Sequence, residues 1–210
     1  MSYPCILLAA GASSRMGANK LLLPLGNETV VRRAARTLLV GCSPLIVVTG
    51  RERGKIEKAL GGVPDIIFTF NADWEKGMIG SAIQGIDALP DKNIPFFLHH
   101  ADMPFISKNV LDALYAAEKQ RDDAGLRPLA LMASLDGIAG HPVLFPSSYI
   151  PAIRAAGQGE RLKGIVEGLG CLLVETGCEA VLEDIDNPGE FAALCEKYGL
   201  SGKDPVKSRL

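Results

Sequence analysis

The sequence predicts an α/β fold: a single-domain, Rossmann-like, doubly wound and mainly parallel sheet with helices on both faces. Three observations lead there. Short apolar runs of strand length recur over the first two thirds of the chain, stretches with apolar residues at helical spacing separate them, and glycines and prolines stand at the joints. A chain of 210 residues with 48% hydrophobic content can bury one substantial core without needing a second domain. Residues 1–200 read as one domain and 201–210, SGKDPVKSRL, as a loose polar tail.

Taken in order, residues 3–10 form a compact apolar run that ends at Gly11, a buried strand feeding a loop of small residues. ETVVRRAARTLLVG (28–41) alternates apolar and basic positions at helical spacing and closes on Gly41 as a C-terminal cap. PLIVVT (44–49) is a second buried-type strand, 52–60 a charged helix and 66–70 a third strand. Residues 77–89 read as a helix despite Gly80 and Gly85. IPFFLHH (94–100) is a fourth strand, and Ser107 is placed to cap a helix over 107–120. Beyond it, strands are expected at 129–134 and 141–145, and short helices at 147–155 and 161–167. Residues 172–175 and 180–184 could pair as a hairpin, before a last helix at 188–198.

Charge and cysteine usage narrow the function. Lys and Arg number 22 against 24 Asp and Glu, for a formal net charge of -2. Nucleic-acid binders carry a basic surplus, so an anionic ligand here must be held by a few placed cations and backbone N–H groups. Cys5, Cys42, Cys171, Cys178 and Cys195 are scattered, with no CxxC pair, and are expected to be mostly buried, reduced thiols. ILLAAGASS has small residues at its end, yet no Lys or Arg precedes its short apolar run, as a secretory signal would require. No stretch nears the roughly 20 apolar residues of a membrane span, so the expected setting is cytoplasmic, with no membrane partner.

Ligands of open α/β sheets bind at the carboxyl ends of the strands. The loop after the first strand is LAAGASSRMGANK, Leu8 to Lys20. Its small residues let a ligand approach the main chain, and Arg15 and Lys20 bring two positive charges to the same loop. That combination suits a polyphosphate. It is neither a Walker A loop, since Ala18 follows Gly17, nor a GxGxxG dinucleotide fingerprint. On residue chemistry alone, an ordinary strand-to-helix turn with surface cations stays open. Asp102, just after the apolar strand IPFFL, is expected at the same sheet edge, where a carboxylate can hold Mg2+ against phosphates. His99 and His100 are adjacent on a strand and point to opposite faces, so they cannot readily share a metal.

LAAGxSxRMGxxK resembles the signature of the MobA-like nucleotidyltransferases, in particular their molybdenum cofactor cytidylyltransferase branch. Further landmarks follow in the same order: Asn71 with Trp74 and GMIGS (77–81), ADMPFIS (101–107), GHPVLF (140–145), GQGER (157–161) and DIDNPGEF (184–191). The resemblance implies transfer of an NMP, CMP from CTP by preference, to the terminal phosphate of a molybdopterin-type acceptor, with release of pyrophosphate. It implies Mg2+ as cofactor, held by Asp102 and by Asp186, with Asp184 as a competitor for the second place. Asp186 could instead be a cap or turn residue before Pro188. Arg15 and Lys20 would take the phosphates, the backbone of Leu8, Ala9, Ala10 and Gly11 would read the base, and Asn71 and Ser81 would help bind base or ribose. His141 and Arg161 are the implied acceptor contacts, although a core or hinge role for His141 and a solvated helix-start role for Arg161 stay open. Ala101 replaces a Gly of the family's commoner context beside the metal carboxylate. A different phosphorylated acceptor (a sugar phosphate or a phospholactate-type molecule) is the alternative within the enzyme class. A non-catalytic chaperone that delivers cofactor to a molybdoenzyme is the alternative outside it.

Overall fold

A computed structural model describes residues 2–11, 19–157 and 160–200. Nine strands are described: β1 (Cys5–Ala9), β2 (Pro24–Leu25), β3 (Glu28–Thr29), β4 (Leu45–Thr49), β5 (Ile66–Phe70), β6 (Phe96–His100), β7 (Ala130–Leu135), β8 (Ile138–Phe145) and β9 (Cys171–Glu175). The helices are α1 (Val30–Leu39), α2 (Arg53–Ala59), α3 (Met78–Asp87), α4 (Lys108–Asp123), α5 (Ile150–Ala155), α6 (Leu162–Leu169) and α7 (Pro188–Lys197). Seven strands form one sheet in the order β5-β4-β1-β6-β8-β7-β9, while β2 and β3 pair separately. Only β8 runs antiparallel to its neighbours, so the sheet is mainly parallel, as expected.

Strand alternation explains the layers. Cys5, Leu7 and Ala9 face one core, with Val31, Ala35 and Leu38 of α1, Val110 and Leu114 of α4, and Phe191 and Leu194 of α7. Ile6 faces the other, with Ala82 and Ile86 of α3, Ile150 and Ile153 of α5, and Val166 of α6. Helices therefore cover both faces, and β1, β4 and the Phe96–Leu98 part of β6 are apolar almost throughout because both of their faces are buried. No helix among the described residues is long and apolar enough to cross a membrane. Cys5, Cys42 and Cys195 are buried, Cys178 is half-buried and Cys171 exposed, all free thiols.

Two local expectations need correction. The expected hairpin at 172–175 and 180–184 does not form. β9 pairs in parallel with β7, and 179–182 is a 3-10 turn whose Ala180 and Val181 are buried against the sheet. That turn lies on Gly140 of β8, where a β-carbon would come within 2.1 Å of the Val181 carbonyl oxygen. Long-range burial has overridden a local pairing. Ser107 does precede α4 in extended conformation, but its side chain makes no cap hydrogen bond.

Of the two glycines of α3, Gly85 has a packing explanation. At Gly85 a β-carbon would come within 2.4 Å of the Ile6 side chain and 3.1 Å of Val48, so glycine lets α3 lie close on β1 and β4. Gly85→Ala would gain about 1 kcal/mol of helix propensity, but overpacking at such a contact costs roughly 1–3 kcal/mol. The variant is therefore expected to be less stable on balance, read as a lower urea midpoint at unchanged slope; a higher midpoint would show that the contact relaxes freely.

Candidate active site

The strand order reverses between β1 and β6: the chain builds outward from β1 to β4 and β5, then returns to lay β6 on the other side of β1. Such a switch point leaves a crevice at the carboxyl ends of its two strands. Lys20 follows β1 and Asp102 follows β6, and both enter this crevice.

Local chemistry sets each residue. Asn19 caps a 3-10 turn over Lys20–Leu22, accepting a hydrogen bond from the Leu21 amide, while Leu21 is buried beneath it. The Lys20 ammonium is thereby directed at two carboxylates, 2.6 Å from Asp102 Oδ2 and 2.8 Å from Asp186 Oδ1. Its side chain is 15% exposed and that of Asp102 17%. Burial alone would lower the Lys20 pKa, but Asp102 and Asp186 outweigh it and raise it, so the amine stays charged at neutral pH.

Asp102 is presented by a turn that His99 closes. His99 is fully buried, and its Nε2–H donates to the Met103 carbonyl at 2.9 Å. Burial, aided by the neighbouring His100, holds its pKa down at about 4, so it stays neutral and keeps this tautomer. The remaining Asp102 oxygen, Oδ1, is buried and has no hydrogen-bond partner among the described residues.

Asp186 is carried by the α7 cap. Asn187, not Asp186, is the capping residue: its side chain accepts from the Glu190 amide, and Glu190 accepts in return from the amides of Asn187 and Asp186. The Asp186 side chain is thus left to pair with Lys20. Two further contacts tie this segment to the β6 turn. The Ile185 amide donates to the Asp102 carbonyl at 3.2 Å, and the Phe105 and Tyr198 rings stack with centroids 3.7 Å apart. Asp184 lies alongside, its pKa raised by burial and then by the negative charges of Asp186 and Asp102. His99, Asn187 and Glu190 were not singled out from the sequence as site residues. DNPGE, an Asn with Glu three residues on and Pro between, is the capping-box pattern that could have revealed the last two.

On the β8 side, His141 packs against His100 with ring centroids 4.3 Å apart and lies 6.2 Å from His99. Burial, and then the proximity of His100 and His99, pushes the His141 pKa well down. All three histidines thus gather beside the acidic cluster, which strand alternation had not suggested. Arg161 is exposed at the start of α6 and forms no ion pair among the described residues, so the structure does not bring it into the cluster. Arg15 lies outside the described residues.

On the β4–β5 side, an open groove of about 660 Å³ is lined by Arg51, Arg53, Lys55, Phe70 and Trp74. Trp74 packs on Gly50, which also meets the Ala10 carbonyl. Ala9 and Ala10 are buried and Gly11 is exposed; the Leu8 carbonyl is engaged by the Ala101 amide. Asn71 and Ser81 are both buried and hydrogen-bonded to each other at 3.0 Å, with Asn71 Oδ1 also holding the Asp73 amide. Across the strand order, then, an aromatic and cationic groove, a lysine–carboxylate cluster and a histidine pair follow one another along one edge of the sheet.

The sequence matches the MobA-like NTP transferase domain over residues 5–185. The chain belongs to that family. Among similar proteins, the molybdenum cofactor cytidylyltransferase of Escherichia coli is 28% identical over 197 residues, 92% of this chain and 96% of that protein. The nicotine blue oxidoreductase of Paenarthrobacter nicotinovorans is 31% identical over 166 residues, 75% of this chain and 78% of its own length. A solved nucleotidyl transferase from Methanothermobacter superposes with a TM-score of 0.74 over 94% of this chain and 97% of that one; at 22% identity it shows the shared fold.

The donor set fits a divalent metal of the Mg2+ type. Asp102 and Asp186 offer hard oxygen ligands on one crevice, and the buried Asp102 Oδ1 has no hydrogen-bond partner among the described residues. Among the described residues no group of three or more His, Cys, Asp or Glu could hold a metal ion. Two carboxylates completed by waters and substrate phosphates are the usual protein contribution to a Mg2+ site.

Proposed function

We propose that this MobA-like protein is a Mg2+-dependent nucleotidyltransferase that transfers CMP from CTP to the terminal phosphate of a molybdopterin-type acceptor. The observation that carries this reading is the convergence of Lys20, Asp102 and Asp186 at the switch-point crevice. The E. coli relative, whose name gives that activity and which spans 92% of this chain, supports the choice of acceptor.

Such chemistry needs no general base. A phosphate monoester is largely dianionic at neutral pH, so its oxygen can attack the α-phosphorus directly. One P–O bond forms, the bond to the β-phosphate oxygen breaks, and pyrophosphate leaves. Lys20 meets the charge that grows on the α-phosphate, and Arg15 grips the β- and γ-phosphates. The backbone of Leu8 to Gly11 and the Asn71–Ser81 pair line the nucleoside side, and His141 the acceptor side, with Arg161 as a further acceptor contact. Held by Asp102 and Asp186, Mg2+ would neutralise phosphate charge as a Lewis acid. The protein acts as one catalytic domain, residues 1–200, in the cytoplasm.

Offering the purified protein each NTP with Mg2+ and a molybdopterin-type acceptor, while pyrophosphate is followed, tests this reading. No acceptor-dependent pyrophosphate from any NTP would remove it. CTP is expected to be preferred over GTP by a modest margin, because Ala10 adds a methyl group near the base and a change of that size discriminates by only ~1–3 kcal/mol. Equal or better use of GTP would sink the cytidylyl assignment alone. Trp74 is the sole tryptophan, so CTP binding should change its emission while tripolyphosphate leaves it nearly unaltered.

A further inference from the structure

We infer that Lys20 is the resident counter-ion of the Asp102–Asp186 pair, and that it leaves the pair when a divalent cation binds, which frees its ammonium for the triphosphate. This rests on the metal-dependent reading above and adds to it an exchange between two cations.

The geometry supplies the argument. The ammonium makes contact with both carboxylates at once, 2.6 and 2.8 Å away, and so fills the bridging position between them. A metal ion drawing an oxygen from each carboxylate would need the same space, and two cations in contact there would repel strongly. Among the described residues the ammonium faces Asp102 and Asp186 with Asp184 beside them, and it leaves Asp102 Oδ1 buried with no hydrogen-bond partner. A divalent ion and its waters would give that oxygen a partner.

Lys20 is built to move. Its backbone is fixed by the Asn19-capped turn, while its four-carbon stem swings a compact charge. When the ammonium leaves the carboxylates it remains in the crevice, on the loop proposed to hold the phosphates. Metal and nucleotide binding are then coupled, each favouring the other, by the reciprocity of linked equilibria.

The test follows Mn2+ binding to nucleotide-free protein by electron paramagnetic resonance of the free ion. Lys20→Met is expected to bind Mn2+ about tenfold tighter than the wild type, the factor for a metal-free state in which about nine-tenths of the molecules are lysine-bridged. Arg51→Gln, which removes another cation lining the same sheet edge and leaves the bridge intact, controls for simple charge removal. Its gain should fade in high salt, whereas that of Lys20→Met should persist. Equal or weaker Mn2+ binding by Lys20→Met, or a gain that fades like the control's, overturns the exchange.

A second measurement uses the wild-type chain and does not depend on the variant folding. Acetylation of Lys20 by acetic anhydride, read by peptide mass spectrometry, should rise when Mn2+ is added; unchanged or reduced labelling overturns the exchange. Pyrophosphate release separates the two ideas. A protein that turns over CTP but fails these binding tests loses the exchange and keeps the transferase reading, and one that passes them without turnover does the reverse.

Discussion

Asp102→Asn is expected to lower kcat by about 10³-fold or more while leaving the fold intact, since in the proposed metal role its loss would remove several kcal/mol of transition-state stabilisation. The fold should survive because the Asp102 backbone carbonyl, not its carboxylate, receives the Ile185 amide, and because His99 closes the turn through Met103. Lys20 would keep Asp186 as a partner. Asp186→Asn should be milder, because its side chain is 41% exposed and Asp184 stands beside it as a second carboxyl group. Circular dichroism melts beside pyrophosphate release are the measurements that check this. A folded Asp102→Asn protein with wild-type turnover would remove the metal assignment.

Lys20→Ala is expected to lower kcat by about 10²–10³-fold, the usual cost of losing a donor aimed at charge that develops in the transition state. Binding of a non-hydrolysable CTP analogue should suffer less. The contrast is Arg15→Ala: charge-assisted hydrogen bonds to phosphates already bound in the ground state contribute ~1.5–3 kcal/mol, so KM for CTP should rise markedly. Equilibrium binding of the analogue, measured beside steady-state kinetics, separates the two. If Lys20→Ala loses analogue binding yet turns over normally at saturation, the lysine is a substrate clamp and the proposed division of labour fails.

The parts of this molecule that the sequence alone determined are those encoded by neighbours along the chain. Apolar runs such as LIVVT and FFLHH read as buried strands because both sheet faces are covered, and α1 reads from the spacing of Val31, Ala35 and Leu38. The small-residue loop after β1 with Lys20 at its end, and Asp102 directly after β6, were legible for the same reason: strand ends place side chains at a predictable edge. What the tertiary structure decided is every choice that depends on distant partners. Lys20 and Asp186 are 166 residues apart, and nothing local distinguishes Asp186 from Asp184 as the residue that meets the ammonium. Only the α7 cap, taken by Asn187, and the tie from Ile185 to Asp102 set that register. The antiparallel pairing of β6 with β8 likewise brought His141 onto His100. Burial of Val181 against Gly140 placed 179–182 on the sheet face instead of beside β9. Periodicity and strand ends are properties of a few consecutive residues, whereas these contacts exist only after the sheet has assembled and brought remote segments into one crevice.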